Sequence, residues 1–151
     1  MKKASLPENE VKRLESLHGY NILDTLPELS FDDITRLASH ISGTPVALIS
    51  LIDSNRQWFK SRIGLEVEET PRDISFCSHA ILENDLLVVP DTLEDKRFSD
   101  NPLVTGEQKI RFYAGSPLVT VRGEALGTLC VIDRKPRNLT DVQIESLRAL
   151  T

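Results

Sequence analysis

The chain has 151 residues, 40% hydrophobic and 27% charged, with a formal net charge of -5. By length it is one ordinary domain with a self-sufficient core, and its acidity speaks against a nucleic-acid partner, because phosphate binding needs a clustered basic face. The basic groups Lys2-Lys3, Lys12-Arg13 and Arg134-Lys135-Arg137 are scattered, and the longest apolar run, Val46 to Ile52, is far shorter than the ~18 residues of a membrane span. Two cysteines outside any CxxC pair, with no signal peptide ahead of them, read as a reducing cytoplasm.

Ser5 and Glu8 have the spacing of a capping box, and Val11, Leu14 and Leu17 recur at helical period up to Gly19, so the first element is a helix. Residues 20–29 form a connector. Ser30 is expected to cap a second helix with Phe31, Ile34, Leu37, Ala38 and Ile41 on one face, ended by Gly43 and Pro45. The period then changes. Val46 to Ile52 is short, β-branched and apolar, the mark of a buried strand. Residues 53–56 carry turn chemistry, and residues 57–63 read as the returning strand of a hairpin.

Residues 66–71 read as an acidic loop. Ser75 is placed to cap a short helix over 76–83. A brief strand over 86–89 stops at Pro90, Thr92 with Asp95 suggests a single capped turn, and residues 99–109 read as a polar loop. A second hairpin follows. Its first strand, residues 110–121, holds Pro117, which demands an edge or a bulge. Its second, residues 125–133, is apolar on both faces and belongs at the centre of a sheet. Thr140 and Gln143 form a capping box flanked by Leu139 and Ile144, and the helix they open meets no C-cap before Thr151. A natural chain continuing beyond it is therefore expected. Hairpins flanked by helices, rather than strands alternating with long helices, give an α+β class with a largely antiparallel sheet.

Four stretches carry a family resemblance: Val46-Ala-Leu-Ile-Ser-Leu-Ile-Asp53, Pro71-Arg-Asp-Ile-Ser-Phe-Cys-Ser-His-Ala80, Arg111-Phe-Tyr-Ala-Gly-Ser-Pro-Leu118 and Gly123-Glu-Ala-Leu-Gly-Thr-Leu-Cys-Val-Ile-Asp133. Together they resemble GAF domains set ahead of cyclase or histidine kinase modules in bacteria. The resemblance implies a central antiparallel sheet covered by helices on both faces, a ligand cavity on one face, and dimerisation through terminal helices. It divides the chain into a leading helix and connector (1–29), a GAF core (30–138) and a truncated signalling helix (139–151). It names neither ligand nor cofactor. A sensory module without catalysis of its own is expected, passing a signal to a cyclase or kinase outside this chain.

The implied pocket lies between the sheet and residues 75–111. Its candidate lining is Trp58, Arg72, Ser75, Phe76, Cys77, His79, Asp91, Arg111 and Tyr113. Arg72 and Arg111 have the planar fork that clamps carboxylate or phosphate, unless local acids such as Asp73 or Asp91 claim them. Phe76 and Tyr113 serve equally as core. Trp58 and Phe59 alternate, and the sequence leaves open which ring faces inward.

Cys77 and His79 are two residues apart and diverge on a helix, so His79 is poorly placed as a base for a thiol nucleophile. They lack a third ligand for zinc. Ser78 separates them, unlike the adjacent Cys-His by which phytochrome-like GAF domains hold a bilin. Asp95-Lys96-Arg97-Phe98 echoes the cyclic-nucleotide motif of phosphodiesterase GAF domains only loosely. Two alternatives to a sensor stand: a dimerisation scaffold with a filled pocket, and a thiol enzyme resembling free methionine-(R)-sulfoxide reductases, although residues 99–111 lack the cysteine those enzymes use.

Overall fold

A computed structural model describes residues 2–151. Its strands are β1 (Val46–Ile52), β2 (Arg56–Ile63), β3 (Glu69–Pro71), β4 (Leu87–Val89), β5 (Phe112–Val119) and β6 (Ala125–Asp133). They join in one antiparallel sheet of order β3-β2-β1-β6-β5-β4. The helices are α1 (Glu10–Gly19), α2 (Leu29–Ser42), α3 (Cys77–Ala80), α4 (Pro102–Thr105) and α5 (Asp141–Leu150). The class is α+β, as expected.

β1 and β6 are central because both are apolar on two faces, and both faces are covered. On one face Leu48, Ile52, Tyr113, Cys130 and Ile132 meet the crossover of residues 72–111. On the other, Ala47, Ile49, Ala114, Leu129 and Val131 meet Ala38 of α2 and Leu147 of α5. A smaller cluster sets Leu17 of α1 against Leu51 and Trp58.

The ends of the elements correct several expectations. α1 is not opened by the Ser5/Glu8 box. A turn from Pro7 (Glu10 N to Pro7 O, 3.1 Å) precedes it, and the residue before its first turn, Asn9, makes no side-chain capping bond. α2 starts at Leu29, because Phe31 N and Asp32 N both bond Glu28 O at 3.1 Å, which leaves Ser30 inside the helix. Its end is as expected: Gly43 stands at φ 69° and its N–H reaches Ser39 O at 2.9 Å. Leu37 is 49% exposed and lies off the buried stripe.

Residues 66–71 are not all loop, since Glu69–Pro71 pair with Arg56–Trp58 as an edge strand. Such a strand is polar and short, so no apolar alternation marks it. The helix expected over 76–83 shrinks to Cys77–Ala80. The polar loop over 99–109 contains α4, with Pro102 at its first position and Asn101 Oδ1 accepting from Leu103 N at 2.8 Å. Asp91, not Thr92, caps the turn at Thr92–Glu94. Pro117 is tolerated because β4 pairs only with residues 113–115, so that side of β5 is free there. The α5 capping box forms in full, with Gln143 N to Thr140 Oγ1 at 3.2 Å and Thr140 N to Gln143 Oε1 at 2.8 Å.

Candidate functional site

The space beneath residues 72–111 is built by aromatic rings. Phe76, at the start of α3, stacks on Phe98 with centroids 4.3 Å apart and meets Tyr113 of β5 edge-on at 5.3 Å. Phe98 also receives the edge of His79 at 4.9 Å. Tyr113 and Phe98 are fully buried and Phe76 is nearly so. Val89, Val104, Ile110 and Ile81 close the walls. The hollow expected here is occupied by the protein's own side chains. The nearby loop is tied to this packing: Asn101 Nδ2 bonds Ile74 O at 3.0 Å, and Thr92 Oγ1 bonds Ile110 O at 2.8 Å.

Inside this closed space sits a polar knot. Cys77 Sγ lies 3.8 Å from Cys130 Sγ, accepts from Tyr113 Oη at 3.2 Å and from Thr128 Oγ1 at 3.1 Å. Burial pushes the Cys77 thiol up, but its hydrogen bonds with Cys130, Thr128 and Tyr113 outweigh it and bring the thiol down to about 7. Its hydrogen bond to Cys77, with burial, holds Cys130 well above the usual thiol range. Burial and the neighbouring Cys77 charge hold Tyr113 high as well.

The other candidates disperse. Trp58 is buried, but with Leu17 and Leu51 on the far side of the sheet, while its neighbour Phe59 joins the crossover core. Arg72 is buried and bound by Glu10, with Nη1–Oε1 at 2.5 Å, and by Asp53 O at 3.0 Å. Arg111 is held by Asp91 at 3.1 Å and 3.3 Å. Neither arginine faces an open anion site. Ser75 Oγ bonds Ser78 Oγ and accepts from Ser78 N at 3.1 Å, so it is spent on its own turn. His79 Nε2–H donates to Lys2 O at 3.0 Å, and burial pushes its imidazole below the usual range. It diverges from Cys77, as the spacing predicts. Of the nine candidates, Phe76, Cys77 and Tyr113 come together with His79 at the rim.

An open concavity does exist elsewhere. A groove of about 720 Å³ runs between the connector after α1 and the outer part of β2, lined by Asp24, Leu26, Asp32, Arg36, Lys60 and Glu68 among others. Lys60 Nζ is fully engaged there, by Glu28 Oε2 at 2.6 Å, Leu26 O at 2.7 Å and Thr25 Oγ1 at 2.8 Å. Among the described residues, no group of three or more His, Cys, Asp and Glu side chains could hold a metal ion, and no helix is long and apolar enough to cross a membrane.

A family model for the GAF domain matches residues 27–151. The chain belongs to the GAF family. Over 131 residues it is 47% identical to the cyclic di-GMP phosphodiesterase PA2567 of Pseudomonas aeruginosa, covering 87% of this chain and 22% of that protein. This GAF domain thus spans about a fifth of that relative's length and is of the bacterial signalling kind. Among solved structures, the GAF domain of an Acinetobacter phosphoenolpyruvate-protein phosphotransferase matches with a TM-score of 0.67 at 16% identity, over 96% of this chain and 89% of that one. The type II free methionine-R-sulfoxide reductase of Thermoplasma acidophilum matches at 0.64 and 13% identity, over 80% and 84%. At such identities the likeness is one of fold alone.

Sequence reasoning missed several residues that organise this GAF interior. Phe98 lay within a basic tetrapeptide and gave no apolar period. Thr128 sits on the same face as Cys130, two positions along β6, a signal that strand alternation could have supplied. Glu10, which pairs with Arg72, and Arg13, which shares that carboxylate, carried no local mark at all.

Proposed function

We propose that this GAF domain is a non-catalytic regulatory module of a longer signalling chain, and that it works by packing and assembly rather than through a preformed ligand cavity. The observation that carries this reading is the filled interior: Phe76, Phe98 and Tyr113 occupy the place where the family resemblance implies a ligand. Among the described residues every buried side-chain nitrogen and oxygen has a hydrogen-bond partner, so no unmet polar group points into that space. In this reading residues 30–138 form the module. The flanking helices carry its state to an output region of the cyclase, kinase or phosphodiesterase kind.

The seating of α5 supports such a route. Leu147 is buried against the α2 face of the sheet, Gln143 Nε2 bonds Ile41 O at 3.1 Å, and Arg148 pairs with Asp85 at 2.7 Å. A shift of the sheet reaches α5 through rigid contacts. Val11, Leu29, Leu37 and Val142 expose apolar side chains on α1, α2 and α5, which supports self-association of two copies through these helices.

Sedimentation and calorimetry on the purified chain test this. A dimer, no heat with cyclic nucleotides or cyclic dinucleotides, and no turnover of methionine sulfoxide are expected. A monomer at every concentration, or stoichiometric binding of a small molecule in the crossover interior, overturns it.

A second reading, a small-molecule sensor, rests on the groove beside Lys60. Its volume of about 720 Å³ falls within the ~300–1,000 Å³ range of small-molecule sites. Binding that Arg36→Glu abolishes would establish it.

A further inference from the structure

The two cysteines of this chain are 53 residues apart in sequence and their sulfurs meet at 3.8 Å inside the crossover. Burial alone would make such thiols inert. Here the surroundings do the reverse, because two hydroxyls donate to one sulfur, Cys77 Sγ, and the second thiol stands 3.8 Å from it. That arrangement stabilises a thiolate and leaves the second thiol, on Cys130, placed to attack the first. Neither packing nor the proposed signalling route requires it.

We infer that Cys77 and Cys130 are a redox-active dithiol, oxidised to a disulfide between α3 and β6 by a small neutral hydroperoxide. In the first step the Cys77 thiolate attacks one peroxide oxygen. The O–O bond breaks, Cys77 becomes a sulfenic acid, and the other oxygen leaves, taking a proton, as water or alcohol. In the second step Cys130 attacks the Cys77 sulfur. The S–O bond breaks, the S–S bond forms, and the leaving hydroxide takes the Cys130 proton as water. The two thiols lose two electrons together and the peroxide gains them.

The sulfurs must approach from 3.8 Å to about 2.05 Å, within the reach of small side-chain and α3 movements. The covering segment is made of short pieces, a 3-10 turn and the four residues of α3, whose transient opening admits a small uncharged molecule. Closure removes the acceptor of Tyr113 and Thr128 and so disturbs the ring contact of Tyr113 with Phe76.

The test is native oxidation of the reduced, purified chain with hydrogen peroxide, followed by alkylation under denaturing conditions and peptide mapping without reductant. The expected result is an intramolecular Cys77–Cys130 peptide, restored to two free thiols by dithiothreitol. Its rate should rise with pH about a midpoint near 7. Tyr113→Phe, which keeps the ring and removes one donor to Cys77, should move that midpoint upward. Cys130→Ser should leave Cys77 as a sulfenic acid trapped by dimedone. Two free thiols after peroxide treatment overturn the proposal, as does a cross-link only between chains. A rate unchanged by Tyr113→Phe overturns the thiolate site. None of these outcomes depends on whether α5 transmits a signal.

Discussion

Arg72 and Glu10 stand 62 residues apart in sequence and meet as a largely buried ion pair, Arg72 Nη1 on Oε1 at 2.5 Å and Nη2 on Oε2 at 3.3 Å. Arg13, fully buried, grips the same carboxylate at 2.9 Å and 3.1 Å and donates to Ile52 O at 2.7 Å. Arg72 donates to Asp53 O at 3.0 Å. The carboxylate thereby ties α1 to the end of β1 and to the first turn of the crossover. Arg72→Ala should cost about 3 kcal/mol in urea unfolding, because it removes one partner of a charge that stays buried. Arg111→Ala breaks a part-exposed pair with Asp91 and should cost less than about 1 kcal/mol.

Glu10 also sets an acid limit. Burial raises its carboxyl, but the hydrogen bonds from Arg13 and Arg72 prevail and hold it down at about 2, against an ordinary 4.5. A folded-state value below the unfolded one stabilises the protein above the unfolded value, and that stabilisation drains as pH falls. In urea midpoints, the gap between the wild type and Glu10→Gln should be constant near neutral pH and narrow as pH falls from 4.5 toward 2. A gap independent of pH across that window would contradict the ion-pair account.

The filled interior makes its own prediction. Phe98 stacks on Phe76, carries the edge of His79 and is fully buried. Phe98→Ala should cost about 4 kcal/mol, the transfer term plus the void left behind. If the crossover then holds its shape, that void is apolar and takes a small apolar probe. Benzene or xenon should raise the melting temperature of the variant and leave that of the wild type unchanged. A wild-type response would mean that a cavity is already open.

The sheet was legible in the sequence because its information is local. The continuous apolar run of β1, the two hairpins and the Thr140/Gln143 box each announce themselves within a few residues. The edge strand β3 was not, because a polar edge carries no apolar period. Charge partners were the least legible. Arg111 found the Asp91 that sequence reasoning had named, but Arg72 found Glu10, whose helix is remote in sequence and docks through tertiary packing alone. The thiol knot was hidden for the same reason. Cys77 and Cys130 stand on separate elements 53 residues apart, and only the fold brings the sulfurs to 3.8 Å. Trp58 shows the limit of alternation: it assigns neighbouring rings to opposite faces, but when both faces are buried it cannot say which ring goes where.

Gly115 lies beneath the Tyr113 ring, and the two residues share a face of β5. A Cβ at position 115 would stand 2.1 Å from Tyr113 Oη and 2.6 Å from Cζ. The ring cannot step aside easily, because Phe76 flanks it and Cys77 Sγ takes its hydroxyl hydrogen. Gly115→Ala should therefore cost about 2 kcal/mol by overpacking, and Tyr113→Phe alone about 1 kcal/mol by losing one buried hydrogen bond. In the double variant the nearest clashing atom is gone while Cζ remains, so part of the alanine penalty should be relieved. Urea unfolding of the four proteins should give a double-mutant cost below the sum of the singles by at least about 0.5 kcal/mol, the coupling expected of residues in contact. Strict additivity would mean that the ring swings clear of position 115, and the hydroxyl would then no longer be held on Cys77.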